Sequence, residues 1–294
     1  MNVTYGLDLM KECPSCNKMV SNLKKHLKKE HLEEYQIRFG NKFKLEGIDT
    51  SDISPKLAYY LKKIMIKSDR PIKISKVYDH SISGMKASFC FNDKDHSKIN
   101  IEINPTISFK SSEGEHSLAH EATHGFLIYA RGYYAPVKFQ LLRKVDGDSI
   151  GLIGGMIDDI VVNCILQNEG FPVISEFYFP MVNDEIHTTD IGRDVYQEFS
   201  YDLTFKFRFI MYRIVYSWGI QNFIKITDEQ RKILEKFRNI YEKKYPKHIE
   251  MADKICQLIQ ENDIFTPEGH KNVFQGVLNL WKLDHLVGLK SYKT

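Results

Sequence analysis

Hydrophobic residues recur at intervals of three and four along most of the chain, and this spacing predicts helices. The first such stretch begins with Ser54 and Pro55, a pair typical of a helix start, and continues as KLAYYLKKIMIK. Further helices are predicted at about 141–169, 190–217, 227–244, 248–262 and 267–287. Most of the second half of the chain is therefore expected to be helical.

Strand-like patterns are confined to the region between the first helix and Ser111. PIKISKVY begins at residue 71, MKASFCF follows, and the polar stretch NDKDHSK separates the latter from INIEINPTI. β-branched and polar residues alternate on both sides of that polar stretch, which predicts a hairpin. Ser112 and Glu115 then form an S-x-x-E capping pattern, which predicts the start of another helix.

That helix contains the sequence EHSLAHEATHGF, residues 115–126. His120 and His124 are four residues apart and so project from one helix face, with Glu121 beside them. This HExxH arrangement supplies two ligands and one general base in zinc metallopeptidases. His116 lies on the same face and is a further candidate ligand, and two hydrogen-bonded interior histidines are the alternative interpretation.

A catalytic zinc needs a third protein ligand, and the following apolar segment, GGMIDDIVVNCILQNEGF, offers Asp158 and Asp159. A carboxylate buried among such residues is costly unless a cation meets it. Asp159 shares a helix face with Asn163, four residues later, and is therefore favoured over Asp158 as the ligand.

The order of a strand, the HEATH helix and an acidic third ligand resembles the zincin superfamily, and most nearly its gluzincin-type branch. The resemblance extends over about residues 70–170 and departs from the family pattern in having Asp where members usually have Glu. It implies a catalytic zinc, with Asn163 supporting the site and an extended peptide paired with the strand at 99–104. The zinc ligands implied are His120, His124 and Asp159.

Hydrolysis of peptide bonds is the reaction that this site implies. Glu121 is expected to accept the proton of a zinc-activated water as it attacks a carbonyl carbon, and to pass the proton to the leaving amine. His187, Tyr196 and Tyr133 are candidate donors to the oxyanion, and the sequence does not choose among them. The alternative is a non-catalytic nucleic-acid-binding or regulatory protein with a degenerate zincin domain.

A second group of metal ligands lies near the start of the chain, in CPSCNKMVSNLKKHLKKEH. Cys13 and Cys16 are separated by two residues, and His26 and His31 follow on a predicted helix. Two thiolates and two imidazoles suit a tetrahedral structural zinc. The stretch resembles a Cys2His2 zinc finger, although nine residues separate Cys16 from His26 where the familiar finger has about twelve.

Positive charge is concentrated around this finger. Residues 11–44 hold nine Lys or Arg against four Glu, whereas the whole chain has a net charge of +3. Ser21 is the expected cap of the finger helix. Lys24, Lys25 and Lys28 on that helix are candidates for contacts with nucleic-acid phosphates, and a solvated lysine face is the alternative.

The predicted fold class is α+β: a small N-terminal zinc finger, then a zincin-like domain with a small mixed sheet and a mostly helical C-terminal half. The ranges are 1–35 for the finger, 36–53 for a connector and 54–294 for the metallopeptidase domain, with sheet and active-site helix in 54–132 and the third-ligand helix and helical subdomain in 133–294.

The expected environment is the cytoplasm, with a peptide or protein substrate and no membrane partner. The start of the chain is interrupted by charges too early for a signal peptide, and no apolar run reaches the roughly 18 residues of a membrane span. Cys90, Cys164 and Cys256 are predicted to be reduced and buried.

Overall fold

Ten α-helices and three small sheets form the described part of the chain in the computed structural model, an α+β fold as predicted. The described residues are 10–40, 43–77, 87–91, 95–139, 141–171 and 178–293. The chain divides into two compact units, Met1–Lys110 and Ser111–Thr294. Each unit has its own buried apolar core.

The first unit begins with the region of the predicted finger and contains β1 (Lys11–Glu12), β2 (Met19–Val20), α1 (Leu23–Glu30) and α2 (Leu32–Phe39). The strands β1 and β2 pair antiparallel. Asn22 caps α1, because its side-chain oxygen accepts the N–H of Lys25 at 2.9 Å, so the predicted cap at Ser21 is wrong by one residue. His31 lies at the junction of α1 and α2, one residue beyond the helix that was predicted to carry it.

Helix α3 (Pro55–Ser68) joins the finger to the rest of the first unit. The hydroxyl of Tyr59 on α3 donates to Glu34 on α2 at 2.8 Å, and Lys67 pairs with Glu33 at 3.0 Å. The predicted boundary at residue 35 therefore falls inside α2. A new domain was predicted to begin at residue 54, whereas the two compact units of the chain meet at residue 110. The start of α3 matches its prediction, since Ser54 accepts the N–H of Leu57 at 3.0 Å.

The sheet of the first unit contains β3 (Ile72–Lys76), β4 (Ala87–Cys90) and β5 (Ile99–Ile103), in the order β3-β5-β4. Strand β5 runs parallel to β3 and antiparallel to β4, which confirms the small mixed sheet and the predicted hairpin. Residues 92–94 of the predicted turn lie outside the described residues. Alternate isoleucines of β3 and β5 are buried and form the core face of this sheet.

The second unit starts with α4 (Ser112–Phe126), which continues as a π-helical turn over Leu127–Arg131. Ser111 caps α4, because its hydroxyl accepts the N–H of Gly114 at 3.1 Å. The predicted capping box of Ser112 and Glu115 is therefore displaced by one residue, and Gly114 occupies the position where a capping box needs a carboxylate or amide side chain.

The remaining elements of the second unit are β6 (Tyr134–Lys138), α5 (Lys144–Asn168), α6 (Tyr178–Asp190), α7 (Leu203–Phe223), α8 (Asp228–Lys244), α9 (Pro246–Glu261), α10 (Pro267–Leu280) and β7 (Val287–Ser291). The predicted helix at 190–217 is wrong over residues 191–202, because Gly192, at a φ of 78°, follows the end of α6 and Asp202 caps α7. The last predicted helix ends at Leu280, and β7 pairs antiparallel with β6.

Helices α5 and α7 form the centre of the second unit and run parallel, since contacts pair Ser149 with Arg208 near their starts and Cys164 with Phe223 near their ends. Small residues bring the two helices close together. A methyl group added at Gly219 of α7 would lie 2.7 Å from Cγ1 of Ile160, and one at Gly155 of α5 would lie 3.2 Å from the ring of Tyr212.

Gly219→Ala is expected to destabilise the second unit by about 1–3 kcal/mol, because the added methyl group would overlap the side chain of Ile160, which is fully buried. Gly151→Ala is the matched control: this glycine also lies inside a helix, and nothing lies within 4 Å of the added methyl group. It should stabilise the unit by about 0.5–1 kcal/mol through helix propensity alone. Urea unfolding measures the free energy of unfolding of both variants. An equal increase in this free energy for the two substitutions would contradict the close packing of α5 and α7.

Helix α5 is long and apolar enough to cross a membrane by length and composition, and 56% of its apolar window is buried inside the protein. Core helices commonly pass the same test. All five cysteines lie among the described residues, and none is in a disulfide. Cys256 is buried as predicted, but Cys90 and Cys164 are partly exposed, because each lies near the end of its strand or helix.

Candidate metal centres

Three ligand atoms converge where α4 packs against α5. The Nε2 atoms of His120 and His124 lie 3.2 Å apart, and Oδ1 of Asp159 lies 3.3 Å from the first and 3.2 Å from the second. A tetrahedral zinc ion bound at about 2.0–2.1 Å places its ligand atoms about 3.3 Å from one another. The triangle therefore fits three corners of a zinc tetrahedron, and the fourth corner has no ligand among these three residues.

The helices position these residues through a simple packing pattern. Leu118, Ala119 and Ala122 form the buried face of α4, and the two alanines let α5 approach closely. The histidines lie beside that face, one helical turn apart, so both rings reach Asp159 on α5.

The electrostatics of the triangle favour a positive charge at its centre. Burial opposes protonation of His124, but the hydrogen bond with Asp159 and the charge of Glu121 raise the pKa of His124 to about 9. Burial also opposes ionisation of Asp159, yet hydrogen bonds with His120 and His124 hold the pKa of that carboxyl well below its usual range. A zinc ion bound here would replace the proton on His124, because a histidine ligand binds zinc in its neutral form.

Asp158, the other candidate ligand, is engaged elsewhere. Its Oδ1 is hydrogen-bonded to Nε2 of His270, a buried residue of α10. The structure thus brings Asp159 into the triangle and pairs Asp158 with a residue on another helix. No local sequence pattern indicates His270 as a partner, because 112 residues separate it from Asp158.

Asn163 supports α5 in a different way from the one predicted. Its amide donates to the main-chain carbonyl of Asp159 at 2.6 Å and to the hydroxyl of Tyr216 at 3.0 Å. The contact with Asp159 is therefore to the backbone rather than to the carboxylate. Tyr212 stacks on Tyr216, and burial together with the charge of Asp159 raises the pKa of the Tyr212 phenol above its usual value. Tyr212 thus keeps its proton beside the triangle.

Two of the three predicted oxyanion donors are committed to other partners. The hydroxyl of Tyr133 donates to the carbonyl of Ile264 at 3.1 Å, and the hydroxyl of Tyr196 lies 2.6 Å from that of Tyr241. Both tyrosines are buried. His187 is an exposed residue of α6. The structure therefore does not assign the oxyanion role to this set.

The other histidine of α4 and the predicted base both lie near the triangle. The ring of His116 is centred 5.7 Å from that of His120, but its nitrogens are not among the ligand atoms that converge. Glu121 follows His120 directly and is half-buried, and its charge acts on His124.

The finger residues form a second cluster, in which the ligand atoms of Cys13, Cys16, His26 and His31 all lie within 4.8 Å of one another. Sγ of Cys16 lies 3.4 Å from Nε2 of His26. The Cys13 carbonyl accepts the N–H of Asn17 at 2.8 Å, and this tight turn brings the two cysteines together.

Two features of this cluster favour a metal ion. Burial opposes ionisation of Cys13, but backbone N–H groups of Ser15 and Cys16 lower the pKa of its thiol, which favours the thiolate that zinc binds. Nε2 of His31 is buried and has no hydrogen-bond partner among the described residues. An orphaned nitrogen of this kind costs about 1–3 kcal/mol, and ligation of a metal removes that cost.

The predicted phosphate-contacting lysines are exposed on α1. Lys24, Lys25 and Lys28 all face solvent. Nζ of Lys24 lies 5.5 Å from the ring centre of Phe39, and Nζ of Lys28 lies 5.9 Å from that of Tyr35. Positive charges and aromatic rings thus alternate on this surface of the finger.

Comparison of the chain with protein-family models, with curated proteins and with solved structures finds no significant match. The two clusters are therefore interpreted from their own geometry and chemistry.

Proposed function

We propose that the chain is a zinc-dependent endopeptidase, with a catalytic zinc held by His120, His124 and Asp159 and with Glu121 as general base. The observation that carries this proposal is the triangle of ligand atoms, 3.2–3.3 Å apart, beside a glutamate of the same helix. This combination has the ligand types, spacing and adjacent base of HExxH zinc peptidases.

The roles of the residues follow from their positions. When bound, zinc supplies Lewis-acid activation of water and of the substrate carbonyl. Glu121 accepts the proton of the attacking water and donates it to the leaving amine.

The second cluster holds a structural zinc in this proposal. The finger then directs the peptidase to nucleic acid or to a protein partner, while peptide or protein is the substrate. The proposed location is the cytoplasm, without a membrane partner, and burial of more than half of the apolar window of α5 supports a role as a core helix.

A non-catalytic nucleic-acid-binding or regulatory protein is the second candidate. It is favoured by the charge distribution: residues 1–110 contain 20 Lys or Arg against 13 Asp or Glu, a net charge of +7, whereas residues 111–294 have a net charge of −4. In that case the zincin-like unit would bind metal or support the fold without cleaving anything, and Glu121 would be dispensable.

Zinc content per chain tests the proposal. Purified wild-type protein should contain two zinc ions by elemental analysis, and His124→Ala should contain one, because two ligands do not hold zinc tightly. Asp159→Ala should behave like His124→Ala, whereas Asp158→Ala is the matched control and should retain both ions. Loss of zinc only with Asp158→Ala would move the ligand assignment by one residue. A single zinc unaffected by His124→Ala would favour the second candidate.

A further inference from the structure

The first unit contains a cavity that neither metal centre uses. It has a volume of about 730 Å³, within the range of ligand pockets, and lies among α1, α2, α3 and the segment that begins at Phe43. Most of its lining is apolar. Three aromatic side chains, Phe39, Phe43 and Tyr59, contribute flat surfaces to it.

The charged residues of this cavity are all positive. Arg38, Lys44 and Lys62 line it, and none of the described lining residues is acidic. Arg38 is already paired with Glu34, so Lys44 and Lys62 supply the charge available to a ligand. The surrounding unit has a net charge of +7. An anionic ligand with an apolar, flat part is therefore the complementary chemistry.

The finger extends this positive rim along α1. Phe39 is 41% exposed although it lines the cavity, and the ammonium group of Lys24 lies 5.5 Å from its ring centre. Lys28 follows Lys24 by four residues, a rise of about 6 Å along the helix, with Lys25 beside them. A row of cations that leads away from an exposed aromatic ring matches a polyanion with regularly repeated charges and a stacking group between them.

We propose that this cavity takes an unstacked base of single-stranded nucleic acid. Phe39 is the stacking platform, Lys44 and Lys62 contact the phosphates that flank the base, and Lys24 and Lys28 follow the strand. A duplex fits this site poorly, because its bases are already stacked and paired. This inference deepens one part of the proposed function, the targeting of the chain by its finger. It rests on the proposed function only because the finger needs its structural zinc to fold, and it does not depend on peptide hydrolysis.

Fluorescence anisotropy with the full-length, zinc-loaded chain tests this inference. The probe is a short fluorescein-labelled oligothymidylate, compared with the same strand annealed to oligoadenylate. Phe39→Ala should weaken single-strand binding by about tenfold, because loss of one base stack costs about 1–3 kcal/mol. Phe39→Tyr should retain binding, since it keeps the ring. Met19→Ala, another exposed apolar residue of the finger, is the matched control and should bind as wild type.

Salt dependence identifies the phosphate contacts. Lys44→Gln and Lys62→Gln should each reduce the slope of log affinity against log salt by about 0.7, the value for one contact with a single strand. Lys76→Gln removes one charge from an exposed position of β3 that does not line the cavity, and its slope should match wild type.

Three results would overturn the inference. The first is equal or tighter binding of the duplex, and the second is a Phe39→Ala affinity equal to wild type. The third is displacement of the oligonucleotide by polyglutamate from the wild-type chain, together with weaker binding of polyglutamate by Phe39→Ala. This result would indicate an acidic protein partner. Zinc content is measured in the same samples. If protein with both zinc ions fails to bind the strand, this inference alone is overturned. If the protein lacks the finger zinc, the structural-zinc part of the proposed function is overturned as well.

Discussion

Glu121→Gln is expected to lower peptide hydrolysis by about a thousandfold while both zinc ions stay bound. General base catalysis by a positioned side chain contributes about 10²–10⁴ in rate, and glutamine has the shape of glutamate but accepts no proton at neutral pH. Glu121 is not one of the three residues whose atoms form the triangle, so its substitution leaves the ligand set complete. Cleavage of a fluorogenic peptide library and zinc content, measured on the same preparation, provide the two readouts.

The matched control is Glu113→Gln, which makes the same chemical change in the first turn of α4. It should retain the activity of wild type. Normal hydrolysis by Glu121→Gln would remove this residue as the base, and if the wild-type chain cleaves no peptide while carrying two zinc ions, the non-catalytic interpretation becomes the better one.

Cys13→Ser is expected to remove one zinc ion and to destabilise the first unit, while hydrolysis of a short peptide continues. Structural zinc contributes about 10–16 kcal/mol to the folding of zinc-finger peptides, and a serine hydroxyl does not replace the thiolate. The finger ligands lie in Met1–Lys110, whereas the triangle and Glu121 lie in Ser111–Thr294. Since each set of ligands belongs to a separate compact unit, the catalytic zinc should survive.

Zinc content, thermal unfolding and peptide cleavage together measure this outcome. Cys90→Ser is the matched control, because Cys90 lies in the first unit but outside the cluster, and it should retain two zinc ions. Loss of both ions, or of peptide cleavage, in Cys13→Ser would mean that the finger is required for the catalytic fold.

The features that could be predicted from the sequence are those with local causes. The helical repeat places His120 and His124 on one face whatever the rest of the chain does. The same argument favoured Asp159 over Asp158, and the structure places Asp159 at the triangle. In the finger, short spacings bring four ligands together, because a tight turn holds Cys13 and Cys16, and α1 carries His26 and ends just before His31. That these clusters bind zinc remains a prediction.

The features that could not be predicted depend on contacts between distant parts of the chain. The pairing of Asp158 with His270 and the hydrogen bond of Asn163 to Tyr216 connect helices whose order in space has no local signal. The same holds for β7, which was not predicted, because its pairing partner is far away in sequence. The division of the chain at residue 110 likewise reflects contacts made throughout each unit, which the local sequence pattern does not show.

The pairing of β6 with β7 has a consequence for biosynthesis. Strand β6 leaves the ribosome directly after the HEATH helix and its π-helical turn, but its partner β7 follows about 150 residues later. At about 5–20 residues per second, translation takes roughly 10–30 s to supply that partner. His270, which holds Asp158, also emerges only late in this interval. The nascent chain thus carries the HEATH helix well before α10 and β7 are synthesised. Under the proposed function, proteolytic competence would follow completion of these C-terminal elements rather than synthesis of the motif itself.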